Sequence, residues 1–296
     1  MDSYVEMYIQ YLQIVKKTSG NTVVSYRRDL DKLLTFLKNH GIDNLKRVTF
    51  TDLNSYILFL EKEGCATSTV SRMVSAIKSF FTYLFRERLI ENDPAVNLKA
   101  PKIVRKVPDI LTIEEMDRLL SIPDDSDKGV RDKAMLELLY ATGLKVSEII
   151  AIKLDDINIP LRYIRFVDKD KVKERIVPFG EPAQRALNIY LNMAGELIMS
   201  EKNTEKYLFL NYAGEPMSRQ GFWKIIKQYG EKAGFGDKIT PHIFRHSFAA
   251  HMVGNGADLK SIQEMLGHAD ISTTQVYSSF VHTGISYVYD KSHPRR

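Results

Sequence analysis

The stretch HIFRHSFAAH, running from His242 to His251, sets three histidines and an arginine among otherwise mostly apolar residues. On a helix His242 and Arg245, three positions apart, share one face. Imidazole and guanidinium both donate hydrogen bonds to phosphate oxygens. The next groups of comparable reactivity are His268 in LGHAD and Tyr277 in STTQVYSSF. A tyrosine hydroxyl beside such donors is suited to attack phosphorus. On DNA that attack would form a phosphotyrosine, expel a hydroxyl and conserve the bond energy for rejoining. The reading calls for no metal and no cofactor. Taken singly, a histidine in a helix is more often an ordinary packed or solvated residue than a catalytic one, so only the set carries weight.

The elements that must position these groups can be read from periodicity. Before residue 98 the pattern is helical throughout. SYVEMYIQYLQIVKK repeats apolar residues at Val5, Ile9 and Leu12, and NTVVSYRRDLDKLLTFLKNHG does so at Tyr26, Leu30, Leu33 and Leu37 before stopping at Gly41. A third helix begins near Thr51. The fourth, TSTVSRMVSAIKSFFTYLFRER, places Val70, Val74, Ile77, Phe81 and Leu84 on one face and Ser71, Arg72, Ser75 and Lys78 on another. The polar faces of helices two and four are either solvated surface or a place where Arg27, Arg28, Arg72 and Lys78 meet DNA phosphate and groove edges.

LKAPKIVRKVP, from Leu98 to Pro108, carries four positive charges and two prolines with no acid and no helical period. It reads as an exposed basic linker, with Lys102, Arg105 and Lys106 as candidate DNA contacts. Beyond it the pattern is mixed. Thr112 and Glu115 have capping-box spacing, a helix through DKGVRDKAMLELLYATG ends at Gly143, and KVSEIIAI continues as a short helix. RYIRFV and ERIVPF alternate as two strands joined by the charged turn DKDKVK. Helices over residues 182–198 and 218–234 flank a short strand, YLFLN, and the remainder reads as stacked helices. The expected fold is mainly α with a small antiparallel sheet (α+β), in three parts: 1–97, a linker 98–108, and 109–296.

Up to residue 106 there are 17 Lys and Arg against 11 Asp and Glu, and beyond it 25 against 26, so the basic balance lies in the first part. A sequence pI near 9.0 permits a polyanionic partner. Cys65 is the only cysteine, which excludes disulfide frameworks and clustered-cysteine metal sites. No apolar run is long enough for a membrane span, and the first thirteen residues lack the features of a secretory signal. The expectation is a cytoplasmic protein.

The segments TGLKVSE, KERIVPFG and HIFRHSFAAHMVGNGADLKSIQEMLGHADISTTQVY, with the ending HPRR, closely resemble the tyrosine site-specific recombinases (the phage integrase family), specifically their Xer branch. NTVVSYRRDL and NDPAVNLKAPK extend the likeness over nearly the whole chain. The resemblance implies a helical, SAM-like core-binding domain and a catalytic domain that clamp duplex DNA in a C shape. It implies cleavage and rejoining at a specific recombination site through a 3′-phosphotyrosine, in a tetramer on two DNA sites that can include a second Xer-type recombinase. The carboxy-terminal segment would dock on a neighbouring protomer. Position by position, Tyr277 would be the nucleophile. Arg245 and His242 would stabilise the non-bridging oxygens, and His268 would bind phosphate or assist proton transfer. Lys169 in the hairpin turn, with Lys171 a close second, would be the general acid for the departing 5′ hydroxyl.

The chain departs from the family at Lys145, where TGLRVSE is usual. Lysine keeps the charge and loses the planar fork that holds two phosphate oxygens, so impaired cleavage is expected. Two other readings stay open: a recombinase-like protein that binds DNA with little or no cleavage, and a type IB topoisomerase-like relaxing enzyme.

Overall fold

The computed structural model describes residues 1–102, 109–168, 173–199 and 204–267. The chain divides into two compact units, residues 1–106 and 107–296.

Among its described residues the first unit carries four α-helices: α1 (Asp2–Ile14), α2 (Gly20–Asn39), α3 (Phe50–Lys62) and α4 (Thr67–Arg86). Each buries the stripe that its period dictates. Val5, Ile9 and Leu12 of α1 are buried, as are Leu30, Leu33 and Leu37 of α2 and Val70, Val74, Ile77, Phe81 and Leu84 of α4. Tyr26 is only half-buried at the margin of this core. The start of α3 is set by a reciprocal cap. The Thr49 Oγ1 accepts from the Asp52 N–H at 3.3 Å, and the Asp52 carboxylate accepts from the Thr49 N–H at 2.8 Å.

The second unit contains α5 (Ile113–Leu120), α6 (Asp127–Thr142), α7 (Val146–Ile149), β1 (Ile157–Asn158), β2 (Tyr163–Asp168), β3 (Lys173–Pro178), α8 (Glu181–Ile198), α9 (Arg219–Lys232), α10 (Pro241–Gly254) and α11 (Leu259–Leu266). The three strands pair antiparallel in the order β1-β2-β3, and the β2–β3 register sets Phe166 opposite Arg175. Thr112 and Glu115 form the capping box that their spacing predicts.

Helix α6 is buried on almost every side, Arg131, Asp132 and Glu137 included. The Arg131 guanidinium meets Asp132 at 2.7 Å and the Leu210 carbonyl at 3.3 Å, and the Tyr229 hydroxyl donates to Asp132 at 3.1 Å. These partners satisfy charges that burial would otherwise make costly. Helix α10 packs against α6, with the Tyr140 hydroxyl 2.8 Å from the His251 Nδ1. The Ser247 hydroxyl accepts from the Leu111 N–H at 2.9 Å, tying the start of the unit to α10.

Two expectations change, and one strand is added. YLFLN forms two isolated bridges, Lys153 with Tyr207 and Leu210 with Pro216, in place of a strand. The chain turns back at Asn211, whose side-chain oxygen accepts from the Ala213 and Glu215 N–H groups. KVSEIIAI yields only the single turn of α7, because its last residues leave the helix to pair near Leu208, whose N–H donates to the Ile152 carbonyl at 2.8 Å. Strand β1 went unforeseen, since two residues are too short to show alternation.

Candidate active site

Helix α10 opens with Thr240 as its N-cap and Pro241 in the first turn, where the missing N–H costs nothing. That start leaves His242 exposed on the first turn and carries Arg245, one turn on, into the interior. Arg245 is 6% exposed. Its Nη1 donates to the Gly143 carbonyl at 2.7 Å and its Nη2 to the Leu266 carbonyl at 2.6 Å. Gly143 follows the last residue of α6, and Leu266 is the last residue of α11. One guanidinium therefore serves the carboxy-terminal ends of two helices, where carbonyls lack intrahelical donors and the helix dipole favours a cation.

Both helices end on a left-handed glycine. Gly143 has φ 60°, and a Cβ there would lie 2.4 Å from the Phe248 ring. Gly267 has φ 65°, and a Cβ there would lie 1.8 Å from the Arg175 Nη1. Backbone conformation and space both demand glycine at these two positions.

Two residues beyond Gly143, Lys145 is the exposed N-cap of α7. Its N–H donates to the Glu148 Oε2 at 2.8 Å, and the other Glu148 oxygen accepts from the Arg175 Nη2 at 2.8 Å. The Arg175 guanidinium also lies over the Phe166 ring, 4.9 Å from its centroid. Sequence reasoning assigned no role to Arg175 or Glu148. The available signal was an arginine in an alternating strand at a position paired with an aromatic residue.

Burial, followed by the neighbouring His242 and Arg245, holds the His246 pKa below its ordinary value. Burial likewise lowers His251, against the opposing hydrogen bond at Leu111.

The structure thus brings together Arg245, the Gly143–Lys145 segment and the Gly267 turn, with His242 exposed on the same helix as Arg245. Lys169, Lys171, His268 and Tyr277 lie outside the described residues, as do Arg105 and Lys106. In the first unit, Arg27 pairs with Glu6, with Nη2 to Oε2 at 2.6 Å, and Arg72 pairs with the buried Asp29. Lys78 donates to the Val96 and Leu98 carbonyls, each at 3.2 Å. Arg28 and Lys102 are exposed. Of the basic residues read as DNA contacts in this unit, Arg27, Arg72 and Lys78 already have protein partners that a phosphate would have to share. Among the described residues no cluster of three or more His, Cys, Asp or Glu could hold a metal ion, and no helix is long and apolar enough to cross a membrane.

Two family models match in order along the chain: the N-terminal SAM-like domain of phage integrases over residues 5–88, and the phage integrase family over residues 109–281. The tyrosine recombinase XerD of Oceanobacillus iheyensis is 44% identical over 292 residues, 98% of each chain. That of Staphylococcus haemolyticus is 40% identical over the full length of both. Among solved structures, XerH site-specific recombinase bound to palindromic difH substrate, in a post-cleavage complex, superposes with a TM-score of 0.75 at 21% identity. It covers 95% of this chain and 81% of that one, and shows the shared fold. With both models matched and relatives this similar end to end, the chain belongs to the phage integrase family of site-specific tyrosine recombinases.

Proposed function

We propose that this recombinase cleaves duplex DNA at a specific site with Tyr277 and rejoins it after strand exchange. The Tyr277 hydroxyl attacks the scissile phosphorus, the bond to the 5′ oxygen breaks, and a 3′-phosphotyrosine remains. Lys169 supplies the proton that leaves with the 5′ hydroxyl, and His268 assists proton transfer at the tyrosine. Arg245, His242 and Lys145 donate to the non-bridging oxygens, where fixed donors act on charge that develops in the transition state. Rejoining is the same displacement in reverse, with a 5′ hydroxyl attacking the phosphotyrosine.

The observation that carries this reading is the buried guanidinium of Arg245, immobilised by two helix-end carbonyls while His242 stands exposed on the same helix. A donor whose position is already fixed needs little reorganisation when the phosphate arrives.

In the same reading residues 1–97 form the core-binding domain, 98–108 a basic linker and 109–296 the catalytic domain, both engaging the DNA. Four protomers act on two sites, and a second Xer-type recombinase can take part. The work is done in the cytoplasm, in chromosome dimer resolution or mobile-element integration and excision. Lys145 favours one competing reading, a protein that binds its site and cuts it poorly.

The deciding experiment uses a nicked suicide duplex carrying the site that the protein protects in footprints of genomic fragments. The unmodified chain should accumulate a covalent adduct, and Tyr277→Phe should bind equally and form none. An adduct that persists in the variant places the nucleophile elsewhere, and no adduct in either protein favours the binding reading.

A further inference from the structure

Among the described residues, Arg175 is a charged group that touches two of the three family motifs from within the third. It stands on β3 in KERIVPFG, its Nη2 holds Glu148 of TGLKVSE, and its Nη1 packs against Gly267 of MLGHAD. The arrangement is specific to a guanidinium in three respects. One end of the fork donates to the Glu148 carboxylate, 27 residues away in sequence. The other end fills the space where any side chain at residue 267 would sit. The flat face rests on Phe166, the cross-strand partner of Arg175, which keeps the fork in the plane that reaches both. A lysine could satisfy one of these demands and not all three.

What the fork holds is also specific. Glu148 uses its second oxygen on the N–H of Lys145, so the carboxylate is an intermediary between Arg175 and the first residue of α7. Gly267 directly precedes His268 and directly follows Leu266, whose carbonyl is held by Arg245. Thus one guanidinium, from α10, holds the Leu266 carbonyl, and another, from β3, lies against Gly267 next to it. The ion pair with Glu148 is largely sheltered, the two side chains being 18% and 22% exposed.

We infer that Arg175 is a positioning residue for strand cleavage: through Glu148 it sets the backbone of Lys145, and through Gly267 it sets the turn that leads to His268. No contact with tyrosine or phosphate is assigned to it. The inference rests on the functional reading above for its effect on cleavage, and on the Glu148 hydrogen bonds and the close approach to Gly267 for its effect on the backbone.

The test compares the full-length unmodified protein with Arg175→Lys, Glu148→Gln and the double variant, in two measurements. The first is hydrogen exchange at the amides of Lys145 and Gly267 without DNA. Arg175→Lys should exchange at least about fivefold faster at both, while amides in α2 and α4 of the first unit stay unchanged. The second is single-turnover adduct formation on the suicide duplex at saturating protein. Arg175→Lys should lower that rate at least about tenfold and leave half-saturation of binding within about twofold. Because the action passes through Glu148, the double variant should be little slower than the worse single variant. A purely structural role would instead lower the melting temperature and spare the rate of the folded, saturated fraction. Unchanged exchange at Lys145 and Gly267 overturns the inference whatever the cleavage result. So do additive rate effects of the two substitutions, or an Arg175→Lys rate within about twofold of the unmodified protein. Should the unmodified protein form no adduct, the functional reading fails, and the exchange measurement still decides the role of Arg175.

Discussion

Replacing Arg245 by lysine separates what the charge does from what the fork does. The guanidinium makes two short bonds, 2.7 Å to the Gly143 carbonyl and 2.6 Å to the Leu266 carbonyl, from a site that is almost fully buried. An ammonium at the end of a flexible stem can satisfy one carbonyl and leaves the other without a charged donor. A hydrogen bond to a charged group contributes about 1.5–3 kcal/mol, so Arg245→Lys should destabilise the second unit by about that much. For a domain of this size each kcal/mol moves the melting temperature by about 2–4 °C, which gives a fall of roughly 3–12 °C. Trp223, the only tryptophan, lies on α9 of that unit, so its fluorescence follows this transition in the full chain. On the suicide duplex the same substitution removes a preorganised two-armed donor and should slow adduct formation by about 10²–10³. A melting temperature within about 1 °C of the unmodified protein would refute the claim that Arg245 holds the ends of α6 and α11 together. A rate within a few-fold would refute its assignment to the phosphate.

Two further outcomes are expected. Lys145→Arg should raise the single-turnover cleavage rate at least about tenfold, a step of roughly 1.4 kcal/mol, with little change in affinity. Equal rates would mean that lysine suffices at the start of α7. The pH dependence of stability should reveal His251, whose pKa is lowered in the folded state chiefly by burial. As pH falls through the unfolded histidine's value of about 6.5, the unfolded chain takes up a proton that the folded chain resists, so stability is lost below that pH. His251→Gln should flatten the fall of the Trp223-monitored melting temperature between about pH 7.5 and 5.5, and an unchanged slope would assign that fall to other groups.

Much of the fold was open to inspection in the residues themselves, because its signals are local. The stripe Val70, Val74, Ile77, Phe81 and Leu84 needs only the helical period to be recognised, and all five are buried. Thr112 with Glu115, and Gly143 after Thr142, act within a single turn. The pairing of RYIRFV with ERIVPF follows from two alternating runs and a short connection. YLFLN misled for the same reason, since alternation cannot report that the facing chain supplies only a single bridge at each end.

The family motifs likewise named Arg245, His242 and Lys145 by residue type and spacing. What they could not contain is distance. Two partners of Arg245 lie 102 and 21 residues away, and the Glu148 partner of Arg175 lies 27 away. Nor could periodicity show that Arg72 and Arg27, read as groups for DNA, are paired with Asp29 and Glu6. The sequence by itself named candidate residues for the chemistry and the helix of the described part that carries Arg245 and His242, because propensity, capping and period are decided within a few neighbours. Only the tertiary structure decided that two helix ends close on one guanidinium and that Arg175 joins three motifs. Such contacts exist only after distant segments have packed, when burial removes water as the competing partner for their hydrogen bonds.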